Sequence, residues 1–387
     1  MKNVYYVKLN DVCELITDGT HQTPTYSESG YIFLSSKNVT NGIIDWENIK
    51  YIPEELHKKL YERISPKVGD ILLAKNGTTG IAALVDKNII FDIYVSLALL
   101  RPKKNILSEY LLWAINNPYT KRKFQANLKG IGVPNLHLSS IKKTEIKFYD
   151  MTQQIYISNI MKKCKRIIDL KKQQLSELDR LVKFQFLKIF GDPILNEKNW
   201  KKIFLSDCCI INPKKNEIKL DDNFSLSFIG MADVSEKGKI NTSNIKLYKE
   251  VKNGFTYFKE NDVLFAKITP CMENGKGGIA KNLYNKIGFG STEFHVLRPI
   301  ENISNSYWLY CLTMLPFFRK NAEKNMTGSA GQKRVPITYF QKTLIALPPI
   351  ELQNKFADFV KQVDKSKVIL GKALKSLSFG LNYYYML

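Results

Sequence analysis

Two stretches decide the fold: VGDILLAK at residues 68–75 and ENDVLFAK at residues 260–267. Each passes from turn-forming residues into a short apolar run that closes on a lysine, as a buried strand bounded by turns would. Outward from this pair, the second half of the chain restates the first in order. VKLNDVCELI (7–16) matches IFLSDCCIIN (203–212), and Leu100-Arg101-Pro102 returns as Leu297-Arg298-Pro299, with Tyr110 and Tyr307 following at equal distance. Val133-Pro134 returns as Val335-Pro336, and KTEIKFYDMTQQ (143–154) as KTLIALPPIELQ (342–353). The offset grows from 192 (267 minus 75) through 197 (298 minus 101) to 202 (336 minus 134), a drift that loop insertions between fixed elements produce. A period near 200 is a domain duplication, since each copy is large enough for its own core.

Within the copies, the runs Tyr31 to Leu34, Asp70 to Ala74, Ile89 to Tyr94 and Ser225 to Ile229 read as strands between Gly, Asn and Asp clusters. Ser108 to Asn116 and Ser306 to Leu315 read as helices opened by a capping serine. Each copy is then a mixed α/β unit. Thr152 to about Phe190 holds neither Pro nor Gly, and Met161, Cys164, Ile168, Leu175, Leu178 and Val182 form a heptad seam. A second seam follows copy two: Phe356, Phe359, Val363, Leu370, Ala373 and Leu377. Neither stripe can be buried alone, so the two helices are expected to bury them in each other, and chain order makes them antiparallel. The expected fold is α+β: two homologous domains over 1–150 and 191–349, a central spacer helix over 151–190 and a distal one over 350–387, with pseudo-twofold symmetry.

The chain has 387 residues, 44% hydrophobic and 12% aromatic, a composition of folded domains. Its 58 Lys and Arg exceed its 36 Asp and Glu by 22, a field that draws polyanions, nucleic acid first among them. An AT-rich genome would also enrich Lys and Asn, and only 8 of the 58 are Arg. The start lacks an apolar signal core, and the most hydrophobic stretch, Gly80 to Leu100, is interrupted by Asp86, Lys87 and Asp92. Neither secretion nor membrane spanning is expected, and the location is cytoplasmic. Six scattered cysteines without a CxxC read as reduced thiols, not as a metal site or disulfide frame.

Enzymatic motifs are missing. No Gly-x-Gly loop follows a strand, and Pro348-Pro349 lacks the preceding Asn and following aromatic residue that would hold an adenine amino group. Gly275-Lys276-Gly277 has Pro270 where a phosphate-binding loop needs its first glycine. His21, His57, His137 and His295 lie far apart without repeat partners. No catalysis, cofactor or metal is expected in this chain.

Two divergent copies, each followed by a long helix, resemble the specificity (S) subunit of type I restriction-modification systems. Asp18-Gly19-Thr20-His21-Gln22-Thr23-Pro24 is similar to the loop that opens a target recognition domain in that family. Gly328-Ser329-Ala330-Gly331-Gln332 and Leu347-Pro348-Pro349-Ile350-Glu351-Leu352-Gln353 resemble its domain-to-helix junction, and Phe190-Gly191-Asp192-Pro193 with Asn199-Trp200 the end of its central helix. Copy two departs at Asn212-Pro213-Lys214-Lys215, where copy one has its Asp-Gly-Thr-His loop. The resemblance implies a non-catalytic subunit whose two domains read the halves of a split double-stranded DNA target. It also implies two methyltransferase (M) subunits, which bring S-adenosylmethionine and methylate adenine N6, and restriction (R) subunits that cleave.

Base readout needs forked side chains on loops, whereas phosphate binding needs only positive charge. The candidate DNA-binding residues in copy one are Thr20, His21, Gln22 and Thr23, the turn Lys75, Asn76, Thr78 and Thr79, and Lys129. In copy two they are Lys267, Glu273, Asn274, Lys276, Gln332, Lys333 and Arg334. Arg101 and Arg298 share one repeat position, so a common scaffold role is expected of them. Two other readings compete: a stand-alone methyltransferase or nuclease with diverged motifs, and a coiled-coil scaffold that never touches DNA.

Overall fold

The computed structural model describes residues 5–40, 42–77, 79–128, 134–193, 195–329 and 331–386. The chain divides into two units, Met1–Lys172 with Gly371–Leu387, and Gln173–Leu370. In the first unit, Ile71–Ala74 lies inside an antiparallel sheet in the order Cys13–Asp18, Leu97–Pro102, Ile71–Ala74, Ala82–Leu84. All four residues of Ile71–Ala74 are buried. Ile71 and Leu73 face a cluster with Tyr110, Leu111, Ile115 and Phe124, and Leu72 and Ala74 face one with Leu34, Phe91 and Ile93. A strand covered on both faces reads as a continuous apolar run, and that is why VGDILLAK carries no polar alternation. Helices Ser108–Asn116 and Pro118–Ala126 cover one face. A second sheet covers the other, with Tyr31–Leu34 between antiparallel Lys50–Ile52 and parallel Phe91–Ile93.

The second unit repeats this plan. Val263–Ala266 occupies the same place in the order Cys209–Ile211, Phe294–Pro299, Val263–Ala266, Gly277–Ile279. Val263 and Phe265 face the helical cluster, while Leu264 and Ala266 face Ile229 and Phe258. Its second sheet gains a strand: Thr256–Lys259 pairs antiparallel with Ile287–Gly290, which runs parallel to Ser225–Ile229. Glycine makes that addition possible, because a Cβ on Gly288 would lie 2.1 Å from the Phe258 ring.

The duplication extends to charge pairs. Arg101 donates from Nε and Nη2 to the two carboxylate oxygens of Asp70 at 2.9 and 2.7 Å, and Arg298 does the same to Asp262 at 2.9 and 2.8 Å. The carboxylates are buried and each fork ties neighbouring strands, so both arginines serve the scaffold. Burial pushes the Asp262 carboxyl above the usual aspartate range, and its bonds from Arg298 and the Lys259 amide oppose that rise only in part.

The structure corrects one repeat pairing. Leu136 N donates to Lys75 O and Val335 N donates to Lys267 O, both at 2.9 Å. Leu136, not Val133, is therefore the counterpart of Val335, an offset of 199 (335 minus 136) that matches the 199 between Leu138 and Ile337 at the next helices. The Val-Pro dipeptides matched in letters but not in place, and Val133 itself lies outside the described residues.

The long helices span Met151–Phe190, 40 residues, and Ile350–Met386, 37 residues. Each is fastened to its unit by a fully buried glutamine. Gln154 donates to Asn105 O and Tyr149 O at 3.1 and 2.8 Å and accepts from Leu107 N at 2.8 Å. Gln353 likewise donates to Ile303 O and Pro348 O at 3.1 and 2.9 Å and accepts from Asn305 N at 2.9 Å. Within the second unit the helices run antiparallel: Phe186 and Phe190 pack edge-on against Phe356, and Asp179 meets Lys367 at 2.6 Å. Leu178, Val182, Phe356, Phe359 and Val363 lie in one cluster there, and Phe186, Phe190 and Val360 extend the seam beyond the residues its heptads marked. Leu175 and Leu370 are half-buried. In the first unit Met161 is buried and Cys164, Ile168, Ala373 and Leu377 are half-buried.

Candidate nucleic-acid interface

In the first unit the backbone after Cys13–Asp18 passes so close to Phe91–Ile93 that a Cβ on Gly19 would lie 1.9 Å from Ile93 O, so only glycine fits. That approach delivers Thr20, His21, Gln22 and Thr23 to an edge. Thr20 is half-buried and pairs with Tyr94 through the backbone, and its Oγ1 accepts from Gln22 N. His21, Gln22 and Thr23 are exposed, with His21 Nε2 3.4 Å from Asp18 Oδ1 and Thr23 Oγ1 3.4 Å from the Tyr94 hydroxyl. The Lys75–Thr79 turn joins the same edge, because the Lys75 ammonium lies 2.6 Å from Asp18 Oδ2. Asn76 is half-buried and bridged to Asn135; Thr79 folds back on Gly77 O. Thr78 and Lys129 lie outside the described residues.

Lys75 therefore corrects the sequence reading. It is 5% exposed and its charge is consumed inside the protein, which leaves nothing to offer a phosphate. The missed signal was Asp18 itself, an acidic residue at the end of Cys13–Asp18, which lies across Leu97–Pro102 from Ile71–Ala74. Sequence reasoning also missed Arg63, whose Nη2 donates to Asp18 O and to Gly19 O and holds the loop from below.

The second unit builds the corresponding edge from different chemistry. Strand register aligns Ile211 with Ile16 and Asn212 with Thr17, so Pro213 stands where Asp18 stands. Lys267, in the backbone place of Lys75, has no carboxylate within ion-pair range among the described residues. It is half-buried, and desolvation pulls its ammonium below the ordinary lysine range. Beside it, Arg334 forks Glu293, with Nη2 to Oε1 at 2.8 Å and Nε to Oε2 at 3.0 Å. That bond holds the Glu293 carboxyl below the usual glutamate range. Gln332 and Lys333 are exposed at the same edge.

The loop between Val263–Ala266 and Gly277–Ile279 is held to this edge by Thr269 N, which donates to Lys333 O at 3.0 Å. Glu273 and Asn274 are exposed on it, and Glu273 accepts from Thr269 Oγ1 at 2.8 Å. Lys276 turns inward to Met231 O at 3.1 Å. Below, His295 Nε2 lies 2.8 Å from Val335 O, which can only accept, so Nε2 carries the proton and Nδ1 accepts from Asn212 Nδ2 at 3.0 Å. Burial lowers this imidazole to about 4, which keeps it neutral.

Each unit thus carries one edge where a strand-end lysine, a flanking loop and the segment before a short helix converge. The profile described as "Type I restriction modification DNA specificity domain" matches residues 1–180 and again 197–377. The chain belongs to this family. Each match takes in one copy and most of the long helix that follows it. The chain is similar to the type I restriction enzyme EcoAI specificity subunit of Escherichia coli, 43% identical over 157 residues, 40% of this chain and 26% of that protein. The alignments to EcoAI and to its E. coli counterpart EcoEI span about a quarter of those relatives' length. The MjaIX specificity subunit of Methanocaldococcus jannaschii is 22% identical over 367 residues, 85% of this chain and 81% of that one.

Solved structures carry the same fold. One, titled for complex assembly and conformational transition of the type I R-M system, superposes with a TM-score of 0.61 at 16% identity over 100% of this chain and 97% of that one. The type I S subunit from M. genitalium superposes at 0.53 and 16% identity over 99% of this chain and 95% of that one. Among the described residues of this family member, no helix is long and apolar enough to cross a membrane, and no cluster of His, Cys, Asp and Glu could hold a metal ion.

Proposed function

We propose that this chain is the specificity subunit of a type I restriction-modification complex and that its two units read the two halves of an asymmetric, split double-stranded DNA target. The observation that carries this reading is the family match to both copies, together with edges that share a frame and differ in side chains. The first edge offers His21, Gln22, Thr23 and Asn76, the second Lys267, Glu273, Asn274, Gln332, Lys333 and Arg334. Loops so different do not read the same bases.

The two long helices act as a spacer, with half-sites about one helical turn apart, roughly 34 Å centre to centre. Catalysis belongs to partners: two M subunits carrying S-adenosylmethionine methylate adenine N6, and R subunits cleave. Exposed apolar side chains on the central helix within the second unit, Leu181, Phe184 and Leu187, support docking of such partners. The complex works in the cytoplasm.

The test is selection of bound duplexes from randomised DNA by the purified chain, alone and with its M subunit. A two-part motif with unlike halves is the expected outcome. Methyl transfer by the chain alone would return the stand-alone enzyme to first place, and binding without salt dependence would favour the protein scaffold.

A further inference from the structure

Arg319, on the helix Pro316–Lys324, is 8% exposed and has no carboxylate partner among the described residues. Its Nε donates to Thr313 O at 2.8 Å, its Nη1 to Met272 O at 2.9 Å and its Nη2 to Lys276 O at 3.5 Å. The guanidinium carbon sits 4.0 Å above the centre of the Phe265 ring. A buried cation without a counter-ion is costly, and an apolar side chain of similar volume would fill this space without that cost. What the charge adds is grip on two carbonyls, Met272 O and Lys276 O, that belong to the loop between Val263–Ala266 and Gly277–Ile279. Burial lowers the guanidinium to about 10, still charged at neutral pH.

Among the described residues, the first unit shows no such device. Its corresponding helix Pro118–Ala126 carries Lys121 at the equivalent position, and the turn from Ala74 to Ala82 is too short to need support. The longer loop of the second unit is held by Thr269 N on Lys333 O, Met272 in the core, Lys276 Nζ on Met231 O, and Arg319 beneath. Its two exposed polar side chains, Glu273 and Asn274, lie between these anchors.

We infer that Arg319 is a positioning residue for sequence specificity in the second half-site, fixing the height at which Glu273 and Asn274 meet base edges. The inference rests on the DNA-reading proposal above. The test uses the full chain as wild type, Arg319→Lys, Arg319→Met and, as control, Lys121→Met. Each selects duplexes from randomised DNA, and amide hydrogen exchange is followed in parallel.

Arg319→Met is expected to flatten base preference at least tenfold at positions within one half-site and to leave the other half unchanged. Arg319→Lys, which keeps the charge and part of the bonding, falls between, and Lys121→Met alters neither half. In Arg319→Lys, exchange within residues 268–277 rises about tenfold while Val263–Ala266 stays protected. This arm reports even if the methionine variant does not fold. Uniform weakening of all sequences, or unchanged exchange in the loop of Arg319→Lys, would overturn the assignment. A wild-type chain without any sequence preference would overturn the DNA-reading proposal and this inference with it.

Discussion

The Lys75 ammonium lies 2.6 Å from Asp18 Oδ2 in the first unit, with both side chains buried. In the second unit Pro213 stands in the place of Asp18, and Lys267 keeps its charge without a carboxylate in ion-pair range among the described residues. One lysine position thus has two fates, internal neutralisation in one copy and availability in the other.

Asp18→Asn should leave a buried ammonium uncompensated and destabilise the first unit by about 3–5 kcal/mol. Lys267→Met should cost little stability and weaken DNA binding. Thermal unfolding of both variants, beside their binding curves, checks the contrast; equal loss of stability in the two would refute it.

Arg334→Ala should cost about 1–3 kcal/mol of binding and relax preference in one half-site only, whereas Lys333→Ala should weaken all sequences and lower the salt slope by about one. Titrations across a salt series on matched and mismatched duplexes separate the two. Uniform weakening by Arg334→Ala would remove it from the readers and leave it the partner of Glu293 alone.

His295 is buried and neutral, with its imidazole lowered to about 4. The unfolded chain takes up a proton near pH 6.5 and the folded chain only near 4. The contribution is therefore present above pH 6.5 and lost as pH falls through that window, on the order of 3 kcal/mol. His295→Gln should remove this pH dependence, read as the difference in melting temperature between variant and wild type from pH 7 to pH 4. A constant difference over that range would show that His295 does not titrate on unfolding.

Gln353→Leu leaves Asn305 N without its acceptor and Ile303 O and Pro348 O without their donor, all at a buried corner, and should destabilise the second unit by about 2–4 kcal/mol. Gln154→Leu should do the same to the first. Differential scanning calorimetry would register each loss in its own unit, and a loss shared equally by both units would contradict a local origin.

The duplication and the central strand of each unit were legible from matched, continuous apolar runs, and both long helices from apolar periodicity. That signal survives even where the two copies share few identical residues. The scaffold role of Arg101 and Arg298 followed from repeat position, since a residue retained at one place in unlike copies serves the frame, but their partners Asp70 and Asp262 were found only in the structure. What sequence could not give was decided by distance across strands. Lys75 looked like an exposed strand end until Asp18, 57 residues earlier, was seen beside it. Val133-Pro134 offered the right letters in the wrong register, and only the backbone bond from Leu136 fixed the alignment. Phe186 and Phe190 were hidden because the seam passes from helix packing into the core of the unit, where heptad spacing no longer applies.

The two buried glutamines have a mechanical consequence. Each amide clasps the strand-to-helix corner and the loop that opens the next helix in one three-bonded knot, so the first turn of the long helix cannot swivel without dragging those loops along. Any torque a bound protein exerts on such a helix is transmitted to the adjoining globular body as through a keyed shaft.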